Sequence, residues 1–272
     1  MYAYRSKCYL THQQFFKAKL NHTEPRLHFL IPAYNEAASI KDLLLRINEV
    51  CLSLNIPFNT LVIDDGSQDQ TSNIAHECAN TMPIKVIRNE PNKGLGFSIK
   101  RGLKLLADNC QADDLIITLD ADLTQDPAYI SRMLKALPKA DIVIASRYRK
   151  GSKVEGLSIF RQALSIGASL FMLTFCPIPG VRDYSCGFRL YKAEVIQWAF
   201  RKYGDNFITE TGFACMVEIA RQLRPHARFT EIPFTLKYDA KRKPSEMKII
   251  KTIKAYLRAI VSSKFKGIEK EA

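Results

Sequence analysis

At 272 residues and 47% hydrophobic composition, the chain is long enough to bury the core of one large domain, which excludes an intrinsically disordered protein. Lys+Arg 40 against Asp+Glu 27 leaves a net charge of +13, favouring an anionic partner: nucleic acid, an anionic membrane surface or a phosphorylated substrate. The seven cysteines are scattered without a C-x-x-C pair, which argues against a disulfide framework or a zinc site and for the reduced thiols of the cytoplasm.

In chain order, the opening stretch MYAYRSKCYLTHQQFFKAKL lacks the apolar h-region of a signal peptide, and residues 1–26 read as a basic N-terminal arm. HFLIP (28–32) predicts a strand, and Ser39 to Leu54 a helix with Ser39 as its N-cap. TLVIDD (60–65), IKVIRN (84–89), LIITLD (115–120) and DIVIAS (141–146) predict further strands. Helices are expected at Thr71–Asn80, Gly96–Leu106 and Pro127–Leu137. This alternation predicts an α/β fold: a doubly wound, mostly parallel sheet with helices on both faces.

Beyond residue 150 the rhythm changes. An amphipathic helix is expected at Phe160–Phe175, with Arg161 and Ser165 on one face. CGFRLY (186–191) follows, then a helix at Glu210–Gln222, a strand-like RFTEIPFTLKY (228–238) and a basic tail beginning KYDAKRKPSEMK. The longest uncharged stretch, Ala163 to Val181, contains two prolines. No apolar run approaches the roughly 18 residues of a membrane span. The expected organisation is an arm (1–26), one domain (27–238) that includes an acceptor-side helix at 160–176, and a basic, amphipathic C-terminal loop and helix (239–272).

In doubly wound sheets the ligand sits outside the carboxyl ends of the strands. Asn35 and Glu36 follow the first strand, Asp64 and Asp65 the second, Asp120 and Asp122 the fourth, and Arg147 the fifth. Three acidic strand ends beside a basic one predict a site for a metal and an anion. Taken alone, Asp120 and Asp122 fit turn chemistry and a divalent-cation site equally well.

The stretches IPAYNEAASI (31–40), VIDDGSQDQT (62–71), NKGLGFSIKRG (92–102), DADLTQDP (120–127), IASRYRKG (144–151) and DYSCGFRLY (183–191) together resemble family 2 glycosyltransferases of GT-A fold. Within that family they look like dolichol- and polyprenyl-phosphate sugar synthases. The resemblance covers roughly residues 27 to 260. It implies nucleotide-sugar contacts at Pro32, Tyr34, Glu36, Ile63, Asp65, Asp120 and Ala121, with Lys241 and Arg242 bringing positive charge to the diphosphate. Asp122 is implied as the main ligand of Mg²⁺ or Mn²⁺, helped by Asp120 and by Thr124 or Gln125. Arg147, Arg161 and Ser165 match the positions that hold an acceptor phosphate.

The implied reaction is inverting transfer from GDP-mannose or a UDP-hexose to a polyprenyl or dolichyl phosphate. It would be run by a hexosyltransferase peripheral to the cytoplasmic face of a membrane, with a membrane partner subunit or a second copy of the chain compatible with it. Asp122 and Arg147 would carry the catalysis. A hydroxyl acceptor, saccharide or glycolipid, is the alternative; it requires a general base, for which Asp183 is the candidate.

Three departures mark the chain. Thr124 stands where the family often has Gln, Cys186 stands in a motif that commonly reads S-G-F, and the C-terminal loop lacks a Gly and has Glu246 where Lys is expected. Two rivals remain. A sugar-nucleotide pyrophosphorylase would place a Gly-rich cationic loop after the first strand, which IPAYNEAAS does not provide. A basic, non-enzymatic nucleic-acid- or membrane-binding protein would need aromatics among its basic residues to stack on bases, and Tyr238 and Tyr256 are the few present, so no nucleic acid is expected.

Overall fold

A computed structural model describes residues 25–242. The arm over 1–24 and the tail over 243–272, Glu246 included, lie outside the described residues.

The sheet is built from β1 (Leu27–Ala33), β2 (Phe58–Asp64), β3 (Ile84–Arg88), β4 (Leu115–Thr118), β5 (Ile142–Ser146), β7 (Arg189–Lys192) and β8 (Phe229–Pro233), in the order β3-β2-β1-β4-β7-β5-β8. Every residue of β1 is buried. LHFLIPA has no polar alternation because a central strand with helices on both sides has no solvent face. β1 runs parallel to β2 and β4, β2 to β3, and β5 to β8. β7 is antiparallel to both β4 and β5. The chain leaves the sheet after Ser146, runs an excursion of some forty residues and returns in the opposite direction.

The helices are α1 (Ile40–Ser53), α2 (Thr71–Ala79), α3 (Leu95–Ala107), α4 (Ile130–Ala136), α5 (Ile159–Phe175), α6 (Ala193–Tyr203) and α7 (Cys215–Leu223). α3 packs on β1 and β2 and against α6 and α7, while α4 packs on β5 and β8. Gly102 allows the first contact, since a Cβ there would stand 2.1 Å from Leu30 Cδ1. Before α4, Pro127–Tyr129 forms a 3₁₀ turn whose first N–H, at Ala128, is capped by the Asp126 carboxylate at 2.9 Å.

Several expectations are corrected. Ser39 occupies the N-cap position, yet its hydroxyl donates to the Glu36 carboxylate at 2.7 Å instead of accepting from the helix. The helix expected from Glu210 begins at Cys215. Residues 209–211 are held off helical geometry because the N–H groups of Thr209 and Glu210 donate to Glu218, and Gly96 N–H donates to Thr211 O. The run 228–238 is two strands in two sheets: β8 joins β5, while β9 (Thr235–Lys237) pairs with β6 (Lys153–Glu155). Between them Phe234 turns inward, edge-on to Tyr129 and Phe188. α6, unassigned in the chain-order reading, buries Ala193, Ile196, Ala199 and Phe200 at helical spacing.

Candidate active site

Strand order reverses between β1 and β4, and the loops at the carboxyl ends of these strands meet there. The first two loops are tied together. Asn35, at φ 53, receives Gln68 N–H on its Oδ1 and donates its own N–H to Ser67 Oγ. Glu36 N–H donates to Thr71 Oγ1 at 2.7 Å. Pro32 and Ile63 lie side by side in register. Tyr34 is half-buried just past β1.

The two carboxylates at the end of the second strand do different work. Asp64 is fully buried, accepting from Ser67 N–H and Arg88. Asp65 accepts from Asn89 Nδ2 at 2.7 Å, Gly94 N–H at 2.7 Å and Lys93 N–H at 3.1 Å. It therefore fixes the loop before α3.

After β4 the loop's own side chains bond one oxygen of each aspartate. Gln125 turns back on Asp120, accepting its N–H at 3.0 Å and donating to its Oδ2 at 2.7 Å. Asp120 Oδ1 faces Gly187, where a Cβ would stand 3.1 Å away. Thr124 donates its hydroxyl to Asp122 Oδ1 at 2.7 Å. Asp122 Oδ2 receives Lys241 Nζ at 2.6 Å. Leu123, between them, holds φ 66, an uncommon angle for a residue of its size. Ala121 is buried below.

Burial and the charge of Asp122 push the Asp120 carboxyl upward, Lys241 acting against them. Hard carboxylate oxygens, a glycine leaving room at one of them and an ammonium already drawn to the other fit a divalent cation. Asp120 and Asp122 would hold it, with the Thr124 hydroxyl at the margin.

Arg147, after β5, is locked against Asp183. Nε donates to Oδ2 at 2.8 Å, Nη2 to Oδ1 at 2.7 Å, and Nη2 also to Ser185 Oγ at 2.6 Å. The backbone N–H of Arg147 adds a further bond to the same carboxylate. Burial alone would raise the Asp183 carboxyl, but the Arg147 guanidinium outweighs it and holds the group below the usual carboxylate range. A carboxylate kept ionised and filled in this way is a poor proton acceptor, so the geometry assigns Asp183 to holding Arg147. These bonds use Nε, Nη2 and the backbone N–H of Arg147 and leave Nη1 out.

Two residues the sequence reading missed complete this side. Tyr148 Oη lies 2.6 Å from Ser165 Oγ. Arg189, fully buried, donates to the carbonyls of Tyr184, Cys186 and Met216 and so shapes the loop carrying Asp183 and Ser185. The signal for Arg189 was present as a lone cation in the apolar run CGFRLY. Cys186 is buried, its thiol pushed up to about 12 by burial.

Arg161 and Ser165 project from α5, Arg161 donating to Tyr238 Oη at 3.3 Å. A single cavity of about 210 Å³ is lined by Asp120, Asp122, Arg147, Arg161, Ser165 and Lys241 together. Its far wall is apolar, with Leu157, Leu164, Ala168 and Met172. Pro32, Tyr34, Glu36, Ile63, Asp65 and Arg242 are outside its lining; Glu36 is near enough to bear electrostatically on Asp120 and Lys241. Among the described residues, one cluster has three potential ligands within 4.8 Å, His28, Cys110 and Asp114. It sits at the amino ends of β1 and β4, the opposite edge of the sheet, where Asp114 braces Arg26 and Gln111 N–H groups.

The chain has relatives both in sequence and in fold. The family model described as Glycosyl transferase family 2 matches residues 29–199. A dolichol-phosphate mannosyltransferase of Pyrococcus furiosus is 33% identical over 239 residues, which is 86% of this chain and 62% of that relative's length. A polyprenol monophosphomannose synthase of Mycolicibacterium smegmatis is 28% identical over 218 residues, covering 76% of this chain and 75% of the relative. In fold, the chain is similar to the crystal structure of glucosyl-3-phosphoglycerate synthase of Mycobacterium tuberculosis in complex with Mn²⁺, UDP-glucose and phosphoglyceric acid. The TM-score is 0.61 at 16% identity, over 94% of this chain and 86% of that one.

Proposed function

The chain belongs to glycosyl transferase family 2, and from that premise we infer that it transfers a hexose from a nucleoside-diphosphate sugar to the phosphate of a polyprenyl chain, inverting the anomeric centre. The observation carrying this reading is the cavity itself. Two aspartates suited to a cation stand at one end, Arg147, Arg161 and Ser165 stand beside them, and an apolar wall continues from α5. A phosphate ester of an apolar chain matches that sequence of surfaces. The names of the Pyrococcus and Mycolicibacterium relatives support mannose as the sugar.

When bound at Asp120 and Asp122, Mg²⁺ or Mn²⁺ supplies Lewis-acid neutralisation of the leaving diphosphate. The chain's own residues do the rest. Arg147, aimed by Asp183 and Ser185, offers Nη1 to the acceptor phosphate; Arg161 and the Ser165 hydroxyl add donors from α5. A phosphate monoester has a second pKa near ~6 and is mostly dianionic at neutral pH. It needs no base, which accords with Asp183 being filled by Arg147. Positioning and electrostatics then supply most of the rate.

The acceptor lipid brings the protein to a membrane. No helix among the described residues is long and apolar enough to cross one. Ile159, Ile166 and Leu170 of α5 are 85%, 47% and 59% exposed on one face, which supports a peripheral contact beside the cavity.

Replacing Arg161 by Ala tests the acceptor assignment. Transfer to polyprenyl phosphate should fall at least about a hundredfold, the loss of a charge-assisted contact, while nucleoside diphosphate affinity changes little. Undiminished transfer would remove Arg161 from the site.

A further inference from the structure

Asp122, the better-placed cation ligand, already has a cation. Lys241 Nζ lies 2.6 Å from its Oδ2, and the two side chains are 14% and 11% exposed. A Mg²⁺ or Mn²⁺ ion on that oxygen would sit about 2.1 Å from it, adding a second positive charge to an atom that the ammonium already covers. Two positive charges so close in a part-buried cleft repel strongly. Ion and ammonium therefore compete for that oxygen.

Lys241 is held in place by a strap over residues 235–242. Lys237 N–H donates to Thr124 O at 3.1 Å, tying the strap to the aspartate loop. Asp239 N lies where a Cβ of Gly156 would come within 2.5 Å, so the 238–240 turn is seated against the β6 side. Arg242 pairs with Asp42 at 2.7 Å, and donates to Ala38 O at the start of α1. Tyr238, in the same turn, accepts from Arg161 of the acceptor side. One short segment thus touches the cation ligand, the first loop and the acceptor cluster.

We propose that Lys241 is the built-in counter-ion of the cation subsite: it occupies Asp122 in the cation-free protein, and a divalent ion binds by displacing it, releasing its three N–H donors toward the diphosphate that arrives with the ion. This rests on Asp122 being a cation ligand. In its resting position Lys241 keeps a part-buried carboxylate paired. Once displaced it is a point charge on a flexible stem, suited to a diphosphate without fixed geometry.

The test is titration with Mn²⁺ alone, following the free-ion signal by electron paramagnetic resonance. Wild type is compared with Lys241→Gln, Lys241→Met, Lys241→Arg and Asp122→Asn, with circular dichroism confirming that each is folded. Lys241→Gln and Lys241→Met should bind Mn²⁺ roughly three- to tenfold more tightly than wild type, the scale of one covered ion pair. Lys241→Arg should return toward wild-type affinity. Unchanged or weaker binding in both neutral variants, with Asp122→Asn still impaired, overturns the counter-ion role alone. Equal binding by wild type and Asp122→Asn overturns the cation assignment on which it rests.

Discussion

Arg189 is the largest fully buried side chain in the described protein, and it has three carbonyl acceptors but no carboxylate bonded to it. Its guanidinium works as a template on which residues 184–188 fold, and these residues carry Ser185 and hold Asp183 beneath Arg147. Replacing it by Met removes all three bonds and leaves three carbonyls to find new partners. The expected cost is about 3 kcal/mol or more, measured by urea denaturation, together with loss of transfer as Arg147 loses its seat; a change below about 0.5 kcal/mol would refute the role.

Residue types at strand ends made much of the site legible. Asp120, Asp122 and Arg147 stand out only as a set, because acidic and basic strand ends share one rim, and Arg161 and Ser165 share a helix face by spacing alone. What spacing does not carry is which partner each charge takes. Asp183 was readable as a base, yet its oxygens are filled by Arg147, 36 residues earlier in the chain. Thr124 and Gln125 were readable as further metal contacts; that each also donates to an aspartate oxygen was not. The outcome depends on angstrom-scale reach between loops.

At the scale of elements, the proposed membrane contact turns on α5. One side of it lines the cavity with Leu164, Ala168 and Met172, and the other leaves Ile159, Ile166 and Leu170 to solvent. Replacing Ile166 and Leu170 together by Asp leaves the cavity wall intact. The pair should weaken binding to vesicles containing anionic lipid roughly tenfold or more in a flotation assay, from lost apolar burial. Turnover on a detergent-dispersed short-chain acceptor should persist. Unaltered flotation would place the membrane contact elsewhere.

The strands β1, β2 and β5 and the helices between them were legible because uninterrupted apolar runs alternate with helical periods. The reversed strand β7 was not, since nothing in RLYK states its direction; that is imposed by the excursion through α5. The break of 228–238 likewise follows from a tertiary event, the insertion of Phe234 between Tyr129 and Phe188.

At the scale of the whole molecule, the half of the sheet made by β5, β7 and β8 is braced by Asp141. Its carboxylate accepts from Lys192 Nζ at 2.8 Å and from Arg228 N–H at 2.9 Å, joining the starts of β5 and β8 to the end of the antiparallel β7. Burial would raise this carboxyl, but the Arg228 and Lys192 bonds outweigh it and depress the group below its ordinary value. A carboxyl depressed in the folded state stabilises the fold above its unfolded pKa of about 3.9. That contribution is lost as pH falls from there through the lower folded value. Asp141→Asn should therefore lower stability by about 1–3 kcal/mol at pH 7, and the gap to wild type should close below about pH 4. A gap that is constant with pH would mean that packing, and not charge, is what Asp141 supplies.

The measurement that tests the central claim most directly supplies the protein with Mn²⁺, a panel of GDP- and UDP-sugars, and two matched acceptors, a short polyprenyl phosphate and the corresponding alcohol. The account predicts one donor that yields a polyprenyl-phosphate sugar of inverted anomeric configuration. That product should vanish when the ion is chelated or when Asp122 becomes Asn, and the alcohol should give no product. Transfer to the alcohol in preference to the phosphate, or transfer to the phosphate that survives both chelation and the loss of Asp122, would contradict it.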